Sequence, residues 1–312
     1  MKRFSLFLPI GLLTLCACSS KDEPVEDDCL DPRFRAPVEV TLNVSKCFSP
    51  YKNIDSTRYS KVDSSLLRTR ADASWQLRYM VAAYRRNSDE PLEVVSSLDN
   101  KVKLDLPPDK YTFIGWADYV PCDGKSYYYH TDEFNEIMLR HKYDYTANDP
   151  WKVPYRGSLE QRVAYTTTAA SVDISPAMGN YKLLATDTPE FKPGKILITY
   201  IKPMPCAVNG LSGKINYMWN DMSFESEVND NMLASDYVLS EDEETTVYVR
   251  VEIYDDRNNL RARVRQLAIP LVNGGVTTVK GNFYSILDLD GDFQAGGITI
   301  DTEFDATIEI EI

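Results

Sequence analysis

Val247, Val249, Val251 and Ile253 alternate without a break with Tyr248, Arg250, Glu252 and Tyr254. This period of two limits the fold more than any other feature, because successive side chains of a strand point to opposite faces and such a run buries one face while wetting the other. The rhythm recurs along the chain. Val38, Val40, Leu42 and Val44 alternate with polar residues, as do Val102, Leu104 and Leu106, and Trp75, Leu77, Tyr79, Val81 and Ala83 take alternate positions. Residues 182–185, 196–201, 260–264 and 277–283 read as further strands. Pro107-Pro108-Asp109, Pro189, Pro193-Gly194, Asp255 to Asn259 and Gly274-Gly275 supply the breaks, since proline cannot donate to a ladder and Gly and Asx residues favour turns. Residues 45–73 are polar and irregular, and 133–141 offer one short candidate helix. Many short strands, frequent turns and scarce helix predict an all-β chain of two tandem β-sandwiches, over residues 37–170 and 171–312.

The C-terminus carries the longest alternation. Ile298, Ile300, Phe304, Ala306, Ile308, Ile310 and Ile312 fall on even positions, and Thr299, Asp301, Glu303, Asp305, Glu309 and Glu311 on odd ones. A usual strand is about five or six residues long. Such a run therefore either bends between two sheets or pairs beyond its own domain.

The N-terminus decides where the chain goes. Met1-Lys2-Arg3 is a basic head, Phe4 to Leu15 an apolar run, and Leu15-Cys16-Ala17-Cys18 closes it. That is the layout of a secretory signal peptide, too short to span a bilayer. Leu15, Ala17 and Cys18 resemble a bacterial lipobox, which predicts cleavage between Ala17 and Cys18, a signal peptide of residues 1–17 and a lipid on Cys18. The rival, Cys16, follows Leu15, a poor small residue for the cut; an ordinary cleaved signal without lipid is the plain alternative. Several acyl chains hold firmly to a membrane, each buried CH₂ contributing about 0.8 kcal/mol. Residues 18–36 then read as an acidic, Pro-containing tether. Within it Lys21-Asp22-Glu23 resembles the surface-export signal of Bacteroidota lipoproteins, a solvated acidic stretch being the alternative. The expected location is the outer membrane, exposed at the cell surface.

A net charge of −13 argues against nucleic acid as a partner, because phosphates demand clustered Lys and Arg. It also disfavours adhesion to anionic lipid, so attachment falls to the acyl chains. With Cys16 removed and Cys18 lipidated, Cys29, Cys47, Cys122 and Cys206 remain; their spacing fits no zinc pattern, and free buried thiols or a disulfide bridge are equally open. No cofactor or metal is expected. His130 and His141 lack partners at ligand spacing. Gly210-Leu-Ser-Gly213 is not a hydrolase elbow and reads as a turn. Asp288-Leu-Asp290-Gly-Asp292 clusters carboxylates but lacks the spacing and terminal Glu of an EF-hand loop. Glu241-Asp-Glu-Glu244 reads as a solvated turn. Nothing commits to catalysis.

Several stretches together carry a resemblance: Leu106-Pro-Pro-Asp-Lys-Tyr111 leading to Trp116-Ala-Asp-Tyr119; Tyr155-Arg-Gly157; Tyr200-Ile-Lys-Pro through Asn209-Gly-Leu-Ser-Gly213; Leu233-Ala-Ser-Asp236; and Val272 to Phe283. With the lipobox in front, residues 18–312 resemble the fimbrial anchor lipoproteins of Bacteroidales, the FimB-like subunits of type V pili. The resemblance implies two transthyretin-like, Greek-key β-sandwiches, pilin subunits as partners, and a place at the base of a surface fimbria, where anchors hold the pilus and limit its length. It also implies joining by strand exchange, for which Ile298, Ile300, Phe304, Ile308, Ile310 and Ile312 are the candidate donor residues; a closing strand of the second domain is the alternative. Arg68 and Arg70 are the candidate protease sites, and an anchor is expected to stay uncut. The second functional reading is a surface lipoprotein that binds glycans or proteins outside any pilus. Its aromatic inventory of 20 Tyr and 4 Trp offers stacking platforms, notably Tyr127-Tyr-Tyr129, with ordinary packing as the plain alternative.

Overall fold

The structure is a computed structural model and describes residues 34–54, 75–122, 127–227, 229 and 231–285. Strands dominate it. In chain order they begin with β1 (Ala36–Val44), β2 (Ser49–Ile54), β3 (Trp75–Arg85), β4 (Pro91–Ser97), β5 (Lys101–Leu106) and β6 (Asp109–Pro121). Next come β7 (Tyr129–His130), β8 (Ile137–Leu139), the 3-10 turn Pro150–Lys152, β9 (Tyr155–Val163) and β10 (Thr168–Pro176). The rest are β11 (Met178–Ala185), β12 (Pro193–Tyr200), β13 (Met204–Val208), β14 (Ile215–Trp219), β15 (Ser223–Ser226), β16 (Met232–Leu239), β17 (Thr245–Asp255), β18 (Leu260–Leu271) and β19 (Gly275–Gly281). The expected all-β architecture of multiple sheets is what forms. Among the described residues no helix is long and apolar enough to cross a membrane.

Local pattern and structure part company at three places. The candidate helix at 133–141 is instead the strand β8, in which Ile137 and Leu139 are buried and Met138 less so; pairing with β13 outweighs a short run of helix formers. β2 arises within the polar stretch 45–73, where Ser-Pro-Tyr-Lys-Asn-Ile shows no alternation and only its parallel pairing with β19 makes it a strand. β3 reads as one-faced, yet Met80 to Tyr84 are all buried. The second face is covered by the segment leading through β7 and β8: the Tyr84 hydroxyl donates to Asn135 Oδ1 at 3.0 Å, and Trp116 meets Tyr129 edge-on at 5.4 Å.

The largest sheet runs β4-β3-β6-β9-β10-β1-β5. It folds back on itself at β9 and β10, which share only the pairs Arg156 with Ser175 and Tyr155 with Pro176. The two arms thus become two layers over one core, with Ala36, Val38, Val40 and Leu42 of β1 facing inward. At the tightest point Gly115 of β6 lies opposite Gly157 of β9. A Cβ at Gly115 would fall 2.7 Å from Leu42 Cδ2, and one at Gly157 2.0 Å from the Asp173 carbonyl oxygen. Two glycines with no side chain let β1 and β10 approach the β6–β9 pair.

Two four-stranded sheets, β16-β11-β19-β2 and β15-β12-β17-β18, and a fourth, β14-β13-β8-β7, complete the fold. Ile196, Ile198, Val247, Val249, Val251 and Ile253 are buried with Tyr181, Leu183 and Val279, so the alternation of β17 does face the core. Chain order does not sort the strands among sheets. Position 170/171 lies inside β10, β2 joins a sheet with β19 and β11, and β7–β8 join one with β13. Segment 34–54 therefore gives one strand to each of two sheets.

β2 is pinned at its side by Glu244, whose Oε2 accepts from Tyr51 Oη at 2.7 Å and from Lys52 Nζ. Those hydrogen bonds, from Lys52 first, hold the Glu244 carboxyl below its ordinary value. A depressed carboxyl contributes stability above its unfolded pKa and loses it as pH falls through the folded one. Amide protection of residues 49–54 should therefore drop below about pH 4.3, relative to protection in β17. Glu244→Gln should remove that pH dependence, with a modest size because the carboxylate is solvent-screened.

Candidate functional site: an aromatic cleft above a buried ion pair

The first layer of the site is a stack of rings. Trp75, at the start of β3, lies between Tyr128 (5.5 Å, 24°) and Trp151 of the 3-10 turn (6.1 Å, 11°). Tyr119 of β6 meets Trp151 edge-on at 4.9 Å. Tyr127 stands at right angles to both Trp75 and Tyr128, at 5.3 and 4.9 Å, and His141 leans on it at 4.8 Å. Such pairs add about 0.5–1.5 kcal/mol each beyond the area they bury. The Tyr127-Tyr-Tyr129 run is thus divided: Tyr129 is core, Tyr128 is half-buried and Tyr127 is 43% exposed.

Beneath the rings sits an ion pair with no access to water. Lys152, 2% exposed, donates from Nζ to Asp236 Oδ1 at 2.7 Å, to Tyr145 Oη at 2.8 Å and to the Thr146 carbonyl at 3.1 Å. All three ammonium hydrogens have acceptors. Asp236 Oδ1 also accepts from the backbone N–H of Asn148 and Tyr237, and Oδ2 from the hydroxyls of Tyr145 (2.6 Å) and Tyr200 (2.7 Å). Because the Tyr200 proton is committed to Asp236, Tyr181 must be the donor in the 3.2 Å contact between the two hydroxyls. Burial drives Tyr145, Tyr181 and Tyr200 well above the ordinary phenol pKa, which keeps them donors. Burial pulls Lys152 down while Asp236 opposes it. The arrangement is a fastener rather than a reactive pair: Lys152 comes from the turn before β9, Asp236 from β16.

A cleft of about 180 Å³ opens over this pair, lined by Tyr127, Tyr128, Arg140, His141, Asp144, Tyr145, Thr146 and Lys152 among others. His141 holds a left-handed backbone (φ 62) and its Nε2 lies 3.0 Å from the Tyr127 carbonyl. His130, by contrast, sits on the surface of β7. A second buried pair joins β3 to β6: Arg78 grips Asp118 through two hydrogen bonds of 3.0 and 2.8 Å. Burial pushes the Asp118 carboxyl up from its usual value, with Arg78 pulling the other way.

The residues singled out from sequence for attachment and exchange lie outside the described residues. These are Ala17, Cys18, Lys21, Asp22, Glu23, Arg68, Arg70, Ile298, Ile300, Phe304, Ile308, Ile310 and Ile312, as well as Cys29 and the Asp288 to Asp292 cluster. Cys47 and Cys122 are exposed. Cys206 is buried on β13, which pushes its thiol up to about 12 and leaves it a poor nucleophile. No group of three or more His, Cys, Asp or Glu among the described residues is placed to hold a metal ion.

Residues 35–312 match DUF6562, a family of unknown function. The chain belongs to that family. None of the curated proteins matches it. Among solved structures, this DUF6562 chain is similar to a candidate cell adhesion protein from Bacteroides eggerthii, at 11% identity and a TM-score of 0.46, over 90% of this chain and 93% of the other. A candidate adhesin from Bacteroides ovatus gives 12% identity and 0.44, over 83% and 88%. The fimbrial anchor protein Mfa2 from Porphyromonas gingivalis gives 9% and 0.43, over 74% and 82%.

The stretches that carry that resemblance meet one another in this DUF6562 chain. Arg156, from Tyr155-Arg-Gly157, donates to the carbonyls of Gly210 (2.8 Å) and Leu211 (2.7 Å) in the turn Asn209 to Gly213. Gly213 has φ 71, and a Cβ there would sit 2.7 Å from Arg156 Nη1. Tyr200 belongs to the same stretch as that turn, Asp236 to a third, and Asp118 and Tyr119 to a fourth. Sequence reasoning missed Lys152 and Asp236 as partners; the available signal was a carboxylate inside Leu233-Ala-Ser-Asp-Tyr-Val-Leu239, an otherwise apolar strand.

Proposed function

We propose that this chain is a structural cell-surface lipoprotein, an anchor or minor subunit of a fimbria, tied to the outer membrane by lipid on Cys18 and joined to a pilin by strand complementation. Support comes first from how β1 sits. It lies between β10, parallel, and β5, antiparallel, with Ala36, Val38, Val40 and Leu42 each at most 1% exposed. An interior slot of this kind is filled by an apolar comb of period two, and the Ile298 to Ile312 run is a second comb of the same period that a neighbouring subunit could accept. The same geometry supports the reading of an anchor left uncut at Arg68 and Arg70. A break there would separate Cys18, β1 and β2 from the rest of the covalent chain, leaving the lipid-bearing piece held by ladders alone.

Two changes test this. Cys18→Ser should move the protein from the membrane fraction to the soluble fraction, and removal of residues 298–312 should abolish co-purification of pilin while the circular dichroism of the strands is kept. A Cys18→Ser protein that stayed membrane-bound, or pilin captured equally well by the truncated chain, would remove the reading.

A further inference from the structure

The cleft over the Lys152–Asp236 pair has a chemistry that the anchoring role does not use. Its walls divide by character: the rings of Tyr127, Tyr128 and Tyr145 on one hand, and Arg140, His141, Asp144 and Thr146 on the other. Lys152 and Tyr145 are committed to Asp236, so the floor makes no demand on a ligand. The Asp144 carboxylate and the Thr146 hydroxyl hydrogen-bond to no other described residue. A volume of about 180 Å³ holds several waters and leaves room for one six-membered sugar ring.

We propose that this cleft binds a neutral pyranose, its C–H face laid on the exposed part of the Tyr127 ring that His141 leaves uncovered, and its hydroxyls directed at Asp144 and Thr146. A pyranose is the ligand class with an apolar face and a rim of paired donors and acceptors, and the lining supplies both kinds of group. Tyr127 is already held by edge contacts to Trp75 and Tyr128, so ordering the platform costs little on binding. The unit recognised could be a free monosaccharide or one residue of a longer glycan. The inference does not rest on the anchoring reading, because a chain released from the membrane would bind the sugar equally well.

The test uses the full chain in detergent. It is titrated with free neutral hexoses and N-acetylhexosamines, and with immobilised glycans carrying the same units. Tryptophan fluorescence is the readout, since Trp75 and Trp151 stack beside the cleft. Saturable binding is expected, weakened about tenfold by Tyr127→Ala, the loss of one ring contact to the sugar, and clearly weakened by Asp144→Asn, the latter with the melting temperature unchanged. Binding of free sugars identifies a monosaccharide site, and binding of immobilised glycans alone identifies a residue within a chain; either supports the proposal. It is overturned if no neutral pyranose in either form binds the wild-type chain, or if both variants bind as wild type does.

Discussion

Asp236→Ala should lower the unfolding free energy by about 3–5 kcal/mol, the usual cost of removing one partner from a buried ion pair. The substitution strands the Lys152 ammonium at 2% exposure and takes the acceptor from Tyr145, Tyr200 and two backbone N–H groups at once. The Lys152 pKa would then fall further, since burial already pulls it down and Asp236 is the largest opposing influence. Urea denaturation at neutral pH measures the effect. Lys152→Met should be costly for the complementary reason, a carboxylate left without its cation. The double variant Lys152→Met with Asp236→Leu should lose less than the two single losses added together, because no lone charge remains. A loss below about 1 kcal/mol for Asp236→Ala would mean that water reaches the pair and that it fastens nothing.

Gly157→Ala should be the most damaging single-methyl change in the first sandwich. Its Cβ would come to 2.0 Å from the Asp173 carbonyl oxygen, and that atom belongs to the backbone of β10 rather than to a side chain that could swing aside. β10 is held on its other edge by seven residue pairs with β1, from Val38 with Thr168 to Val44 with Ile174. Relief therefore requires moving a paired strand away from the core, and overpacking of this kind costs about 1–3 kcal/mol or more. Gly213→Ala makes a useful contrast. There the obstacle is the end of the Arg156 side chain, so the loss should come from the left-handed backbone and the weakened grip of Arg156 on its turn. Thermal denaturation of both variants should show the larger fall in Gly157→Ala.

Much of this fold was legible because β alternation is written residue by residue. β1, β5 and β17 lie where Val38 to Val44, Val102 to Leu106 and Val247 to Ile253 place them, and the Pro107-Pro108, Asp255–Asn259 and Gly274-Gly275 breaks are turns. Asp255 shows why such a break works: its Oδ1 accepts from the N–H of Arg257 (2.9 Å) and Asn259 (2.8 Å), closing the turn on itself. β2 and β8 were not legible. Neither has a pattern of its own, and each exists because a distant strand offers it a ladder.

The candidate site follows the same division. The Tyr127-Tyr-Tyr129 run was visible as an aromatic cluster, but not that Tyr127 stands exposed over a cleft while Tyr129 is sealed in the core. What the amino-acid order alone determined is that the chain is β and where strands such as β1, β5 and β17 lie, since alternation depends on residues a few positions apart. What the tertiary structure decided is that segment 34–54 serves two sheets and that Lys152 meets Asp236 across 84 positions. A buried charge is tolerated only where another part of the chain brings the opposite charge and enough donors to surround it, and no local spacing records which part that will be.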